Sequence, residues 1–169
     1  LDGYVARKLG IASDLGALLD ITGDRIVENI YWIYFAAIGM VSFWVPMIVI
    51  ARGLLTDSVR SIAFSEGKTP FGKKTMMRSA LGTFLVSSRF SRALYGTAKA
   101  IIFCYLGGLI VLNSGIERFG FQPAAGLLGV LEWVGQVIVY VVLAMCVIRG
   151  VPVLVEGSYY LLEKRYPNY

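Results

Sequence analysis

Asp2-Gly3-Tyr4-Val5-Ala6-Arg7 is followed, after eight residues, by Gly16-Ala17-Leu18-Leu19-Asp20-Ile21-Thr22-Gly23-Asp24, and the chain then enters the apolar run Ile30 to Met40. Acidic side chains at the mouth of a membrane helix are costly unless paired or metal-bound, so their default reading is functional. Asp20 and Asp24 are four residues apart and therefore share one helix face, with Gly16 one turn below them. Gly16 and Gly23 leave room for a ligand or another backbone to come close. The stretch reads as a binding site built onto the start of a membrane helix.

Outward from it, the chain stays apolar. Of 169 residues, 57% are hydrophobic, and the mean hydropathy of +0.68 argues against a soluble domain. Runs of about 20 apolar residues mark membrane spans. Four are predicted in one membrane domain covering 1–169: 14–40, N-capped by Ser13; 41–64, kinked or started by Pro46; 92–111, with Lys99 two turns in; and 124–148. A Pro152-broken apolar stretch follows the last, and residues 113–123 read as a Gly-rich loop. Residues 1–8 read as the end of a helix whose body lies upstream. The expected fold is all-α, a polytopic transmembrane helical bundle whose first helix is missing from this chain.

Between the second and third spans, residues 66–91 carry Lys68, Lys73, Lys74, Arg78 and Arg89 interleaved with Phe71, Met76, Met77, Leu81, Phe84 and Leu85. Two readings stand side by side: a basic amphipathic interfacial helix, or a solvated basic loop that fixes orientation. Basic residues crowd one side of the bilayer (Arg7, Lys8, 60–92, Arg149, Lys164, Arg165), with Arg118 on the other. By the positive-inside rule, the acidic motif and the basic segment face the cytoplasm, or the matrix or stroma of an organelle. A bacterial inner membrane or a mitochondrial inner membrane is the expected location.

The net charge is +5 and there is no histidine, which excludes His-based acid–base chemistry and His metal ligands. Cys104 and Cys146 lie inside apolar runs and read as small packing residues rather than a disulfide. Clustered carboxylates bind hard divalent cations such as Mg2+ or Mn2+, which favour phosphate-bearing ligands. Two such ions can clamp a diphosphate. Arg52, Arg60, Lys68 and Lys99 supply a second anion site. An acidic metal site beside a basic anion site suggests phosphoryl transfer between two phosphorylated substrates, at a place a lipid enters sideways. A nucleic acid is not an expected partner.

The arrangement Asp2-Gly3-x-x-Ala6-Arg7-x8-Gly16-x3-Asp20-x3-Asp24 resembles the signature of the CDP-alcohol phosphatidyltransferases, six-helix membrane enzymes that join a CDP-linked lipid to an alcohol and release CMP. The resemblance implies that Asp2 and Asp20 bind metal, and that Asp24 joins the metal site or acts as general base on the acceptor hydroxyl. It further implies that Gly3, Arg7 and Gly16 line the CDP pocket, with CDP-diacylglycerol as donor. The family pattern opens on a further aspartate three residues before Asp2, so an upstream helix carrying it is expected. If that aspartate is absent, a catalytically inactive relative serving as a structural subunit of a membrane complex becomes the better reading. A homodimer is also implied by the resemblance.

Ile50-Ala51-Arg52-x7-Arg60-x6-Gly67-Lys68 is similar to the matching stretch of phosphatidylglycerophosphate synthases, whose acceptor is glycerol 3-phosphate. Gly53 departs from that pattern where an acidic residue is usual, and Ile21 stands in place of a proline. Inositol phosphate, or phosphatidylglycerol as in a cardiolipin synthase, therefore stay open. Arg52, Arg60, Lys68, Arg92 and Lys99 are the candidate acceptor-phosphate residues.

Several residues have structural readings beside the functional ones. Arg25 and Glu28 are expected to pair within their helix. Asp57 is expected to partner Arg60 or Lys99, and Lys99 alternatively snorkels to headgroups. Arg89 and Arg92 suit anionic headgroups as well as an acceptor phosphate. Tyr31, Trp32, Tyr34, Phe35, Phe43 and Trp44 read as a membrane-interface belt. Gly107-Gly108 reads as a close-packing point, a candidate dimer seam. A transporter or channel needs acids spread across the bilayer, whereas Asp2, Asp14, Asp20 and Asp24 crowd one face.

Overall fold

The computed structural model describes residues 14–65, 79, 82–120 and 126–165. Among the described residues there are α-helices, one short π-helical segment and no strand: α1 (Asp14–Ala37), α2 (Trp44–Ser65), the π segment Thr83–Ser87, α3 (Arg89–Phe119) and α4 (Leu127–Arg165). Two stretches, Arg89–Phe119 and Leu127–Tyr159, are long and apolar enough to cross a membrane. The all-α membrane bundle follows from these helices.

Where helix ends are described, capping turns close them. After α1, Gly39 adopts a left-handed φ of 77°, and the N–H groups of Met40 and Val41 both return to the Phe35 carbonyl at 2.9 and 3.2 Å. The exposed last carbonyls of the helix are thereby satisfied. Pro46 sits in the first turn of α2, where its missing N–H has no intrahelical partner to lose. Ser88 caps α3, accepting from the Ser91 N–H, and Gly120 closes it at φ 64°.

The core is a seam of residues spaced three and four apart, the period that keeps one helix face turned inward. Along α4 it comprises Val139, Val142, Cys146, Arg149 and Val153, and along α3 Tyr95, Ile102, Leu106 and Leu109, all buried. From α1 come Trp32 and Phe35, and from α2 Val45 and Val49. Phe103 gathers the aromatics, its ring 5.0 Å from Trp32 and 5.2 Å from Tyr31. Outside the seam the helices remain apolar: Ile33, Leu54, Ile101, Val111, Trp133 and Val141 are exposed. Helices apolar on all faces, with only one face buried, require a lipid surround.

The structure corrects several expectations. Trp32 and Phe35 are core residues (0% and 2% exposed) rather than members of an interface belt, whereas Phe43 and Trp44 are exposed. Residues 113–119 continue α3 instead of forming a loop. One interior glycine, Gly115, costs a helix only about 1 kcal/mol, and Gly120 supplies the stop. Pro152 does not break the last helix, since α4 runs through it to Arg165. A proline there removes one backbone donor, and buried Cys146 and Val153 hold the register on either side of it. Gly107 and Gly108 seat no neighbour among the described residues, as a Cβ on either would meet nothing within 4 Å, so the expected close-packing point is not one between these helices. The reading of the cysteines stands: Cys104 and Cys146 are both free, the first exposed and the second buried.

Candidate functional site

The same helical periodicity that builds the seam places polar residues at one end of it. Asp24, Arg25 and Glu28 project from α1, Arg52 and Arg60 from α2, Arg92, Tyr95 and Lys99 from α3, and Arg149 from α4. Together with Gly96 they line a cavity of about 270 Å³. Glu28 lies four residues from Asp24 and three from Arg25, Arg60 eight from Arg52, and Tyr95 and Lys99 three and seven from Arg92, so each set lies along one side of its helix. Cations outnumber acids on this wall, which gives the cavity a net positive lining at the edge of an apolar bundle.

Internal ion pairs neutralise part of that charge. Arg25 Nη2 lies 3.1 Å from Asp57 Oδ1, and Arg60 Nη1 lies 3.5 Å from the same oxygen. Lys99 Nζ donates to Glu28 Oε2 at 2.5 Å, with the two side chains 21% and 10% exposed. The expected Arg25–Glu28 pair is therefore not formed: both residues reach across to other helices, Arg25 to Asp57 and Glu28 to Lys99. Asp57 takes Arg25 as well as Arg60, while Lys99 is held by Glu28 rather than reaching the headgroups. Gly53, the departure from the acidic pattern after Arg52, lies under the Arg25 side chain, whose Nη1 sits 3.5 Å from where a Cβ would stand.

Arg52 and Arg149 have no carboxylate partner among the described residues. Arg149 Nη1 donates to Ser91 Oγ, which in turn donates to the Leu85 carbonyl at 2.9 Å. Its guanidinium carbon stands 5.6 Å from the Tyr95 ring centre, and Lys99 Nζ lies 4.7 Å from the same ring. The Nε atoms of Arg52, Arg60 and Arg149 are buried and have no hydrogen-bond acceptor among the described residues. Buried donors left unmade are costly, and an oxyanion is the acceptor that suits a guanidinium best.

Asp24 is exposed on the cavity wall and makes no ion pair among the described residues. Asp20 lies one turn before it on α1. The Asp24 carboxylate, on the cavity wall with no basic partner among the described residues, suits a hard divalent ion in donor type. Among the described residues no cluster of three or more His, Cys, Asp or Glu side chains forms a complete ligand set.

Of the residues singled out from sequence, Asp24, Arg52, Arg60, Arg92 and Lys99 meet at this cavity. Gly16 and Asp20 lie on α1, and Asp2, Gly3, Arg7 and Lys68 fall outside the described residues. Much of the basic segment 66–91 also lies outside them. Arg89 opens α3 and is exposed away from the cavity wall. Sequence reasoning missed Arg149, Tyr95 and Ser91. Arg149 did carry a signal: it occupies an apolar seam position between Cys146 and Val153, where an arginine is expensive without a task.

Comparison with known families gives a match to the family model described as CDP-alcohol phosphatidyltransferase, over residues 1–148. A CDP-diacylglycerol--glycerol-3-phosphate 3-phosphatidyltransferase of Mycoplasma pneumoniae is 35% identical over 63 residues, covering 37% of this chain and 28% of that protein. The protein of the same name from Mycoplasma genitalium is 35% identical over 66 residues, covering 39% of this chain and 28% of its own length. The similarity thus spans little more than a quarter of these curated relatives. No solved structure matches the chain.

Proposed function

The chain belongs to the CDP-alcohol phosphatidyltransferase family, and from that premise we propose that it transfers a phosphatidyl group from CDP-diacylglycerol to a phosphorylated alcohol, glycerol 3-phosphate, releasing CMP. The observation that carries the acceptor assignment is the pair of uncompensated guanidinium groups, Arg52 and Arg149, in a cavity that Asp24 also lines. A positive pocket favours an acceptor that brings its own phosphate and offers nothing to choline or ethanolamine. The names of the two mycoplasmal relatives point to the same acceptor.

In this reading Arg52 and Arg149 grip the acceptor phosphate through paired N–H donors, with Arg60 and Arg92 adding positive field. Lys99, neutralised by Glu28, shapes the wall. Asp24 accepts the proton of the acceptor hydroxyl. The freed oxygen attacks the phosphorus that bears the diacylglycerol, the bond from that phosphorus to the bridging oxygen breaks, and CMP departs with that oxygen. Asp2, Asp20 and Asp24 would hold Mg2+ or Mn2+, which when bound offsets the charge of the diphosphate. Gly3, Arg7 and Gly16 would receive the cytidine end of the donor. The site faces the cytoplasm or matrix, on the positive side of the bilayer.

A CMP-release assay of the full-length protein in mixed micelles tests this. Glycerol 3-phosphate, inositol phosphate, phosphatidylglycerol and unphosphorylated alcohols are offered in turn. Turnover with glycerol 3-phosphate is expected, and Asp20→Asn and Asp24→Asn each abolish it while helicity is retained. Preference for an unphosphorylated alcohol, or full turnover in both variants, overturns the proposal. Preference for inositol phosphate or phosphatidylglycerol moves the acceptor within the family and leaves the chemistry intact.

A further inference from the structure

We propose that Gly150 is a positioning residue for Arg52: its bare backbone opens the lane across α4 along which the Arg52 side chain reaches the cavity. This deepens the acceptor-site reading above and rests on it. A Cβ placed on Gly150 would stand 2.8 Å from both Cγ and Nε of Arg52, and 3.3 Å from Cδ. Real side chains do not approach so closely, so one partner must move.

The overlapped atoms are the stem of the arginine. Cγ is placed by χ1 alone, and staggered wells make its alternatives discrete. Relieving the overlap therefore takes a rotamer change that swings the guanidinium out of its place in the cavity. Parting the helices is the costlier response. α2 and α4 make the most extensive helix–helix contact in the bundle, and Val59 seats on Gly157 two turns further along. Gly150 also adjoins Arg149, so one turn of α4 fixes both uncompensated guanidinium groups: one by carrying it, the other by making way for it.

The backbone effect runs in the opposite direction. Alanine is the better helix former by about 1 kcal/mol, so loss of function in Gly150→Ala cannot be ascribed to a weakened helix. Gly107→Ala, which meets open space, is the control.

The test measures CMP release by the full-length protein with CDP-diacylglycerol and glycerol 3-phosphate, for wild type, Gly150→Ala, Arg52→Ala, their double variant and Gly107→Ala. Gly150→Ala should raise the acceptor KM about tenfold, the scale of one lost charge-assisted hydrogen bond. Its kcat and its KM for the CDP-lipid should stay within about twofold. The double variant should match Arg52→Ala, because Gly150 acts only through that side chain. Additive effects in the double variant, or an unchanged acceptor KM in Gly150→Ala, overturn the proposal. Calorimetric binding of inorganic phosphate gives a readout without turnover: Gly150→Ala and Arg52→Ala should weaken it equally, and unequal losses overturn the inference. A wild type that binds phosphate but releases no CMP sinks the functional reading alone. If Gly150→Ala fails to fold, removal of the arginine stem should restore folding; a double variant that also fails overturns the contact.

Discussion

Replacing Glu28 by glutamine isolates the ion pair at the floor of the cavity. Lys99 Nζ and Glu28 Oε2 are 2.5 Å apart, and the side chains are 21% and 10% exposed. Coulomb's law at an effective dielectric near 20 gives about 6–7 kcal/mol of gross attraction at that distance. Desolvation offsets much of it, and measured costs of stranding one member of a buried pair run about 3–5 kcal/mol. Lys99 keeps a fifth of its exposure and has the Tyr95 ring beneath it, 4.7 Å from Nζ to the centroid. Both favour the low end, so Glu28→Gln should destabilise by about 3 kcal/mol. For a chain of this size that is a fall of about 6–12 °C in Tm, read by circular dichroism in detergent. Glu28→Gln with Lys99→Met should recover at least half of the loss, because no charge is then stranded. A single variant within about 0.5 kcal/mol of wild type, or a double variant as unstable as the single, refutes the reasoning.

Other expectations follow from the same packing. Trp32→Ala should cost about 3–5 kcal/mol and Trp44→Ala under about 1 kcal/mol, as one is core and the other lipid-facing; denaturant unfolding distinguishes them. Gly157→Ala drives a methyl into Val59 and should cost about 1–3 kcal/mol, with Val59→Ala restoring the loss in thermal melts. Arg149→Ala should raise the acceptor KM by about 10- to 100-fold. Ser91→Ala, which only frees the guanidinium from its hydroxyl partner, should raise it less, and acceptor titrations rank the two. Chelation with EDTA should abolish CMP release and Mg2+ or Mn2+ should restore it, measured by metal add-back.

The all-α membrane class was legible because long apolar runs have few ways to satisfy their backbone in lipid. Asp20 and Asp24 were legible as a pair because four residues on a helix return to the same face. Helix ends were less so: residues 113–119 read as a loop from Asn, Ser and Gly, whose local preferences are worth about 1 kcal/mol or less each, yet the helix runs through them to the left-handed Gly120. The pairing of charges was the least legible. Arg25 and Glu28 look like a local pair, yet Asp57 and Lys99, distant in sequence, take them.

Spacing within each helix thus determined which side chains share a face, since 3.6 residues per turn is a local property of the chain. Only the tertiary arrangement decided which faces meet. Pair energies depend on distance and burial between helices, and these left Arg52 and Arg149, rather than Arg25, Arg60 or Lys99, without a carboxylate among the described residues.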